Sequence, residues 1–152
     1  MRKYVLLDTN VLVLFIVGGT CADYIRIHKN CSRFSRADYD ALLLHISVAA
    51  GVITTAQILS ETANLLRQVR DPIRSEIAAF FKLFVLHVRE LQPTGWDAVH
   101  DDTYAWLGFN DASILACLAP DRVLITEDGN LHAAARTRST DVLHFTELRM
   151  CE

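Results

Sequence analysis

The stretch "KYVLLDTNVLVLF" places Asp8, followed by Thr9 and Asn10, inside an otherwise apolar run from Tyr4 to Phe15. An ionised side chain is costly to bury, so an acid here needs a reason. It can cap a helix, interrupt a secretion signal, or be one satisfied polar group in a core segment. It can also stand at the end of a buried strand and face a cleft. There a carboxylate can bind a hard cation, move a proton, or attack a phosphoryl group. Asp128 follows the apolar run "RVLIT" by two residues, so a second acid reaches the end of a strand by an independent route.

Two more acids have weaker individual signals. In "TTAQILSETANLLRQV" a helix capped by Thr54 or Thr55 buries Ile58, Leu59, Thr62, Leu65, Leu66 and Val69. Glu61 lies beside that stripe in a polar row with Gln57, Asn64 and Gln68, which a solvated face also explains. In "GFNDASILACLAP" the turn Gly108-Phe109-Asn110 feeds a helix that Pro120 ends, putting Asp111 in its first turn, where the helix dipole alone favours an acid. In "LITEDGNL" capping and cleft roles are both open, and Glu127 turns away if Asp128 turns in.

The elements that must position these acids follow from apolar patterning. Strands are expected at Tyr4 to Leu7, Gly51 to Thr54, Phe84 to Val88, Arg122 to Thr126 and Val142 to Phe145. Helical patterns occupy Val11 to Val17, Asp38 to Ala50, Thr55 to Val69, Ile73 to Phe84, Trp96 to Trp106, Asp111 to Leu118 and Leu131 to Arg138. Strands alternating with helices, without hairpin turns, predict an α/β fold with a mainly parallel five-stranded sheet covered on both faces. In such sheets the ligand site lies beyond the carboxyl ends of the strands, where strand order reverses.

Composition narrows the class. A chain of 152 residues with 51% apolar and 22% charged residues and three prolines is expected to form one domain over residues 1–152. The apolar excess leaves room for a partner or a second copy to cover some surface. Cys21, Cys31, Cys117 and Cys151 form no CxxC pair and fit reduced thiols in a cytoplasmic protein. Cys21, His28 and Cys31 lack a fourth zinc ligand at a recognisable spacing. The apolar part of a signal-like start, Val11 to Val17, is short and follows Asp8, and nothing else approaches a membrane span. Net charge is −3, yet 12 of the 15 basic residues are arginines. Arg67, Arg70 and Arg74, which extend from the Glu61 helix, are candidates to grip nucleic-acid phosphates; solvated helix faces are the competing explanation.

Taken in order, "LLDTNVLV", "ILSETANLL", "NDASILACL" and the Thr-x-Asp-x-x-Leu of "TEDGNL" resemble the PIN-domain nucleases, including the toxins of bacterial toxin-antitoxin pairs. The likeness covers nearly the whole chain except Thr20 to Ser35, which does not align. It implies a PIN-like three-layer α/β/α fold with four acids, Asp8, Glu61, Asp111 and Asp128, as catalytic and metal-binding residues, supported by Thr126 and Asn10. It also implies Mg2+ or Mn2+ as cofactor, an RNA substrate, endoribonuclease activity through a metal-activated water, and an antitoxin protein as partner. Hydrolysing a phosphodiester requires an activated water and neutralised phosphate charge, which hard cations on carboxylates supply. Two other classes stay open. One is a non-catalytic PIN-fold module that binds RNA or protein. The other is an aspartate-dependent phosphatase or phospho-receiver domain, although the only lysines are Lys3, Lys29 and Lys82 and none stands late in the chain.

Overall fold

The computed structural model describes residues 1–149. Five strands, β1 (Tyr4–Leu7), β2 (Gly51–Thr55), β3 (Arg89–Leu91), β4 (Arg122–Thr126) and β5 (Val142–His144), form one sheet in the order β3-β2-β1-β4-β5. All four pairings are parallel, with Leu6 opposite Ile53 on one side and Leu124 on the other. The central strands carry the core: Leu6, Leu7, Ile53, Leu124 and Ile125 are almost inaccessible. From β1 the chain steps outward through β2 to β3, then returns to β4 and steps outward to β5. The right-handed rule for crossovers between parallel strands calls for the connecting helices of these two halves on opposite faces. Strand order therefore reverses between β1 and β4.

The first half carries α1 (Thr9–Thr20), α2 (Arg36–Ser47), α3 (Ala56–Leu66) and α4 (Ile73–His87). The return to β4 carries α5 (Gly95–Val99), α6 (Tyr104–Leu107) and α7 (Phe109–Leu115), with α8 (Gly129–Arg136) before β5 and α9 (Phe145–Leu148) after it. Helix α1 buries eight of its twelve residues, as a helix apolar on all sides must. Its glycines permit close approach: a Cβ on Gly18 would lie 2.5 Å from Tyr39 Cδ2, and one on Gly19 would lie 2.5 Å from Phe80 Cζ. Tyr39 is itself buried, so Gly18→Ala should overpack the core and cost about 1–3 kcal/mol. A lowered urea midpoint at unchanged slope would show it; an unchanged midpoint would mean that the ring yields freely.

Four expectations need correction. Phe84 to Val88 is not a strand. Residues up to His87 belong to the last turns of α4, and the edge strand is Arg89–Leu91. A short apolar run does not separate strand from helix, and here Phe80 and Phe84 face the core while Leu83 and Leu86 face out. The pattern from Trp96 to Trp106 is two helices, because a Thr94–Asp97 capping box starts α5 and Asp101 binds the Thr103 backbone between them. Helix α3 ends at Leu66, short of Val69. Phe145 opens α9 instead of ending β5.

The unaligned segment Thr20 to Ser35 holds two short 3-10 turns, Ala22–Ile25 and Lys29–Cys31. Its polar residues close the end of α3: His28 Nε2 donates to the Leu66 carbonyl at 3.1 Å, and Asn30 Nδ2 donates to the Leu65 carbonyl at 3.1 Å. These are carbonyls of the last turn of α3, which lack the regular partner four residues on; the Leu65 carbonyl also accepts the Gln68 N–H at 3.2 Å. His28 Nδ1 accepts the Asn30 N–H, so both ring nitrogens are engaged within the protein. Burial pushes the Cys31 thiol up to about 12, the opposite of a ready metal thiolate. Cys151 lies outside the described residues. Among the described residues, no helix is long and apolar enough to cross a membrane.

Candidate active site

The reversal of strand order puts the ends of β1 and β4 side by side, and each delivers an acid. Asp8 is the N-cap of α1, with Oδ1 accepting the Asn10 N–H at 3.0 Å. Its own N–H donates to the Ile125 carbonyl of β4 at 3.1 Å, and its Oδ2 accepts the Thr126 hydroxyl. Thr126 Oγ1 in turn accepts the Asp128 N–H at 3.0 Å. One buried hydroxyl thus couples both acid-bearing turns. Asp128 caps α8, its Oδ1 accepting the Asn130 and Leu131 N–H groups at 2.8 and 3.0 Å. For both aspartates the capping role and the cleft role coexist.

Thr55 caps α3, which sets the helix rotation: Ile58, Thr62 and Leu66 are buried and Glu61 is left at the edge of that face. The Glu61 carboxylate accepts the Asn110 Nδ2 at 2.5 Å, which ties α3 to α7. Gly108, at φ +89°, turns the chain into α7 and places Asp111 in its first turn. Asn110 stands in the sequence beside an acid at a helix start, yet its grip on Glu61 depends on a contact 49 positions away that no local pattern reveals.

All four acids line one cavity of about 350 Å³, together with Asn10 and Phe109, and no Lys or Arg is in its wall. The electrostatics record this convergence. Asp111 is pushed up to about 6, first by burial and then by the charges of Asp128, Asp8 and Glu61. Asp8, only 5% exposed, is also pushed up to about 6, because burial outweighs the hydrogen bonds from Thr126 and Asn10. Glu127 turns out of the cavity to pair with Arg33 at 2.7 Å, although its charge also acts on Asp8.

An all-carboxylate oxygen set with no cation in its wall suits a hard divalent ion. Its geometry is not a finished ligand shell: among the described residues, no group of three or more His, Cys, Asp and Glu side chains is arranged to hold a metal. Asp8 spends both oxygens on protein donors, and Asp128 and Glu61 spend one each. Glu61 would have to turn from Asn110 for both its oxygens to serve an ion.

The three candidate arginines are elsewhere. Arg67 and Arg74 line a hollow between α3 and α4 with Ile77 and Phe81, and Arg74 pairs with Asp71 at 3.3 Å. Arg70, in the turn before α4, does not line the acidic cavity either. No known family model matches the chain, and no curated protein sequence matches it.

Proposed function

We propose that this chain is a divalent-cation-dependent endoribonuclease with a PIN-like fold. The observation that carries the reading is the meeting of four carboxylates, from the N-cap of α1 after β1, from α3, from α7 and from the turn after β4, in one cavity where strand order reverses. Asp8, Glu61, Asp111 and Asp128 would hold Mg2+ or Mn2+, which when bound would activate a water and neutralise charge on the phosphate and the leaving oxygen. Thr126 and Asn10 fix the orientation of Asp8 by hydrogen bonds to separate oxygens. Asn110 holds Glu61 at the cavity wall until a stronger partner competes for it. Without a bound cation nothing in the cavity activates a water or neutralises the charge that develops at the phosphate, so activity should be absent from the metal-free protein. Free thiols at Cys21, Cys31 and Cys117 suit a cytoplasmic setting, and the toxin role with an antitoxin partner belongs to the same reading.

The incomplete ligand arrangement favours, as a second reading, a module that keeps the fold and binds without cutting. An aspartate nucleophile has less support, since both Asp8 oxygens accept hydrogen bonds and no lysine lines the cavity. The deciding experiment is end-labelled RNA incubated with purified protein in EDTA, magnesium or manganese. Cleavage should need the metal and leave 5'-phosphate and 3'-hydroxyl ends. Cleavage persisting in EDTA, or products ending in 2',3'-cyclic phosphate, would overturn this mechanism, and metal-independent RNA binding without cleavage would select the second reading.

A further inference from the structure

The absence of Lys and Arg from the acidic cavity extends beyond it. A groove of about 480 Å³ continues past Glu61 and Asn110 along α3, lined by Gln57, Ser60 and Asn64, and it too has no cation in its wall. The wall of the acidic cavity also includes Phe109, whose side chain is 40% exposed at the start of α7. Helix α5 begins against that ring, where a Cβ on Gly95 would lie 3.5 Å from Phe109 Cζ. Helices α5 and α6 expose the only two tryptophans of the chain, Trp96 at 68% and Trp106 at 61%. Trp96 is stacked on His100 with ring centroids 3.9 Å apart.

A nucleic acid is gripped by its phosphates through Lys and Arg, with steep salt dependence. It is held by its bases through aromatic faces and neutral amides or hydroxyls, which carry no such dependence. Besides the acids, the described walls of the cavity and of the α3 groove present only the second kind of group. We propose that these walls hold the substrate by unpaired bases: Phe109 stacks on a nucleobase beside the acidic centre, and Asn64 with Gln57 contacts the edge of another in the α3 groove. The proposal rests on the nucleic-acid reading of the acidic cavity. It makes Phe109 a substrate-positioning residue and single-stranded segments the form recognised, because the base faces in a duplex are already stacked.

The test compares a fluorescein-labelled single-stranded RNA, the same ribose-phosphate strand without bases, and the RNA duplex, by anisotropy in EDTA over a salt series. The base-bearing strand should bind about tenfold or more tighter than the other two, as stacking of one or two bases supplies. Phe109→Ala should remove most of that advantage without changing binding of the baseless strand, and Phe109→Tyr should keep it. Asn64→Ala, on an exposed face, tests the groove without risk to folding and should weaken only the base-bearing strand. Equal binding of both single strands, equal binding of duplex, no binding at all, or loss of both single strands alike in Phe109→Ala would each overturn the proposal. Manganese-dependent cleavage with base-independent binding would sink this inference alone; base-dependent binding without metal-dependent cleavage would sink the nuclease reading alone.

Discussion

Asp8→Asn is expected to slow manganese-supported RNA hydrolysis by on the order of a thousandfold, while the metal-free fold becomes no less stable. The activity loss follows from the position of Asp8 between β1 and β4, where it faces the same cavity as the other three acids. Asparagine keeps an oxygen to accept the Asn10 N–H. The Thr126 hydroxyl, which has two lone pairs, can rotate to accept the new amide while still accepting the Asp128 N–H, at the cost of the acceptor for its own O–H, which offsets part of the gain. What disappears is a charge held in a site only 5% exposed. Removing it should stabilise the metal-free protein by on the order of 1 kcal/mol, the pattern of a residue whose function opposes stability. Single-turnover cleavage and urea unfolding of parent and variant measure the two effects. A variant retaining more than about a tenth of parental activity would remove Asp8 from the centre of the mechanism.

The same two carboxyls predict the pH dependence of the metal-free fold. In the folded state Asp8 and Asp111 are both pushed up to about 6 from 3.8. Between about pH 4 and pH 6 the folded protein therefore binds more protons than the unfolded chain. Stability must fall as pH rises through that window, and the penalty is complete above pH 6. The buried Asp8 contributes on the order of 2–3 kcal/mol, and the less buried Asp111 less. Three other acids act oppositely, the exposed Asp71, held down by its hydrogen bond from Ser75, adding least. Hydrogen bonds from Arg138 hold Asp101 far down, and burial of Asp38 is outweighed by Arg149 and Ser35, so their stabilisation is present above about pH 4 and is lost below. The metal-free protein should thus be most stable near pH 4 to 5, and Asp8→Asn should flatten the descent toward pH 6. Urea midpoints in EDTA across pH 3.5 to 7.5 would show it; a midpoint that climbs from pH 4 to pH 6 would contradict the burial of these charges.

The parallel sheet was legible because Val, Ile and Leu runs bounded by turn residues mark β1, β2 and β4 directly. Asp8 and Asp128 were legible because each stands within two residues of the end of such a run. Glu61 and Asp111 were readable as candidates but not as neighbours, since their meeting depends on how α3 and α7 pack, which Asn110 shows in a single contact. The region from Phe84 to Val88 misled because a helix packed on one side and exposed on the other can present four consecutive apolar residues, here Leu83 to Leu86. The stretch Thr20 to Ser35 was opaque because its role is to supply side-chain partners to the Leu65 and Leu66 carbonyls, and such capping has no period. Arginine spacing suggested a phosphate grip near the acids, but α3 ends before Arg67, and Arg67 and Arg74 meet in the hollow against α4 instead.

Whether the four acids act as one charged site is decided by melting curves of the parent and Asp111→Asn, each in EDTA and in manganese. Asp111 is the discriminating position because its place in the first turn of α7 gives it a purely structural explanation as well. At a manganese concentration about a hundredfold above its dissociation constant, the parent should gain roughly 3 kcal/mol, a rise of about 5–10 °C for a chain of this size. Asp111→Asn should melt at or above the parent in EDTA, since it relieves repulsion from Asp128, Asp8 and Glu61, and should lose most of the manganese response. A variant that melts lower than the parent in EDTA and keeps the full manganese shift would make Asp111 a helix-end acid and contradict the four-acid centre.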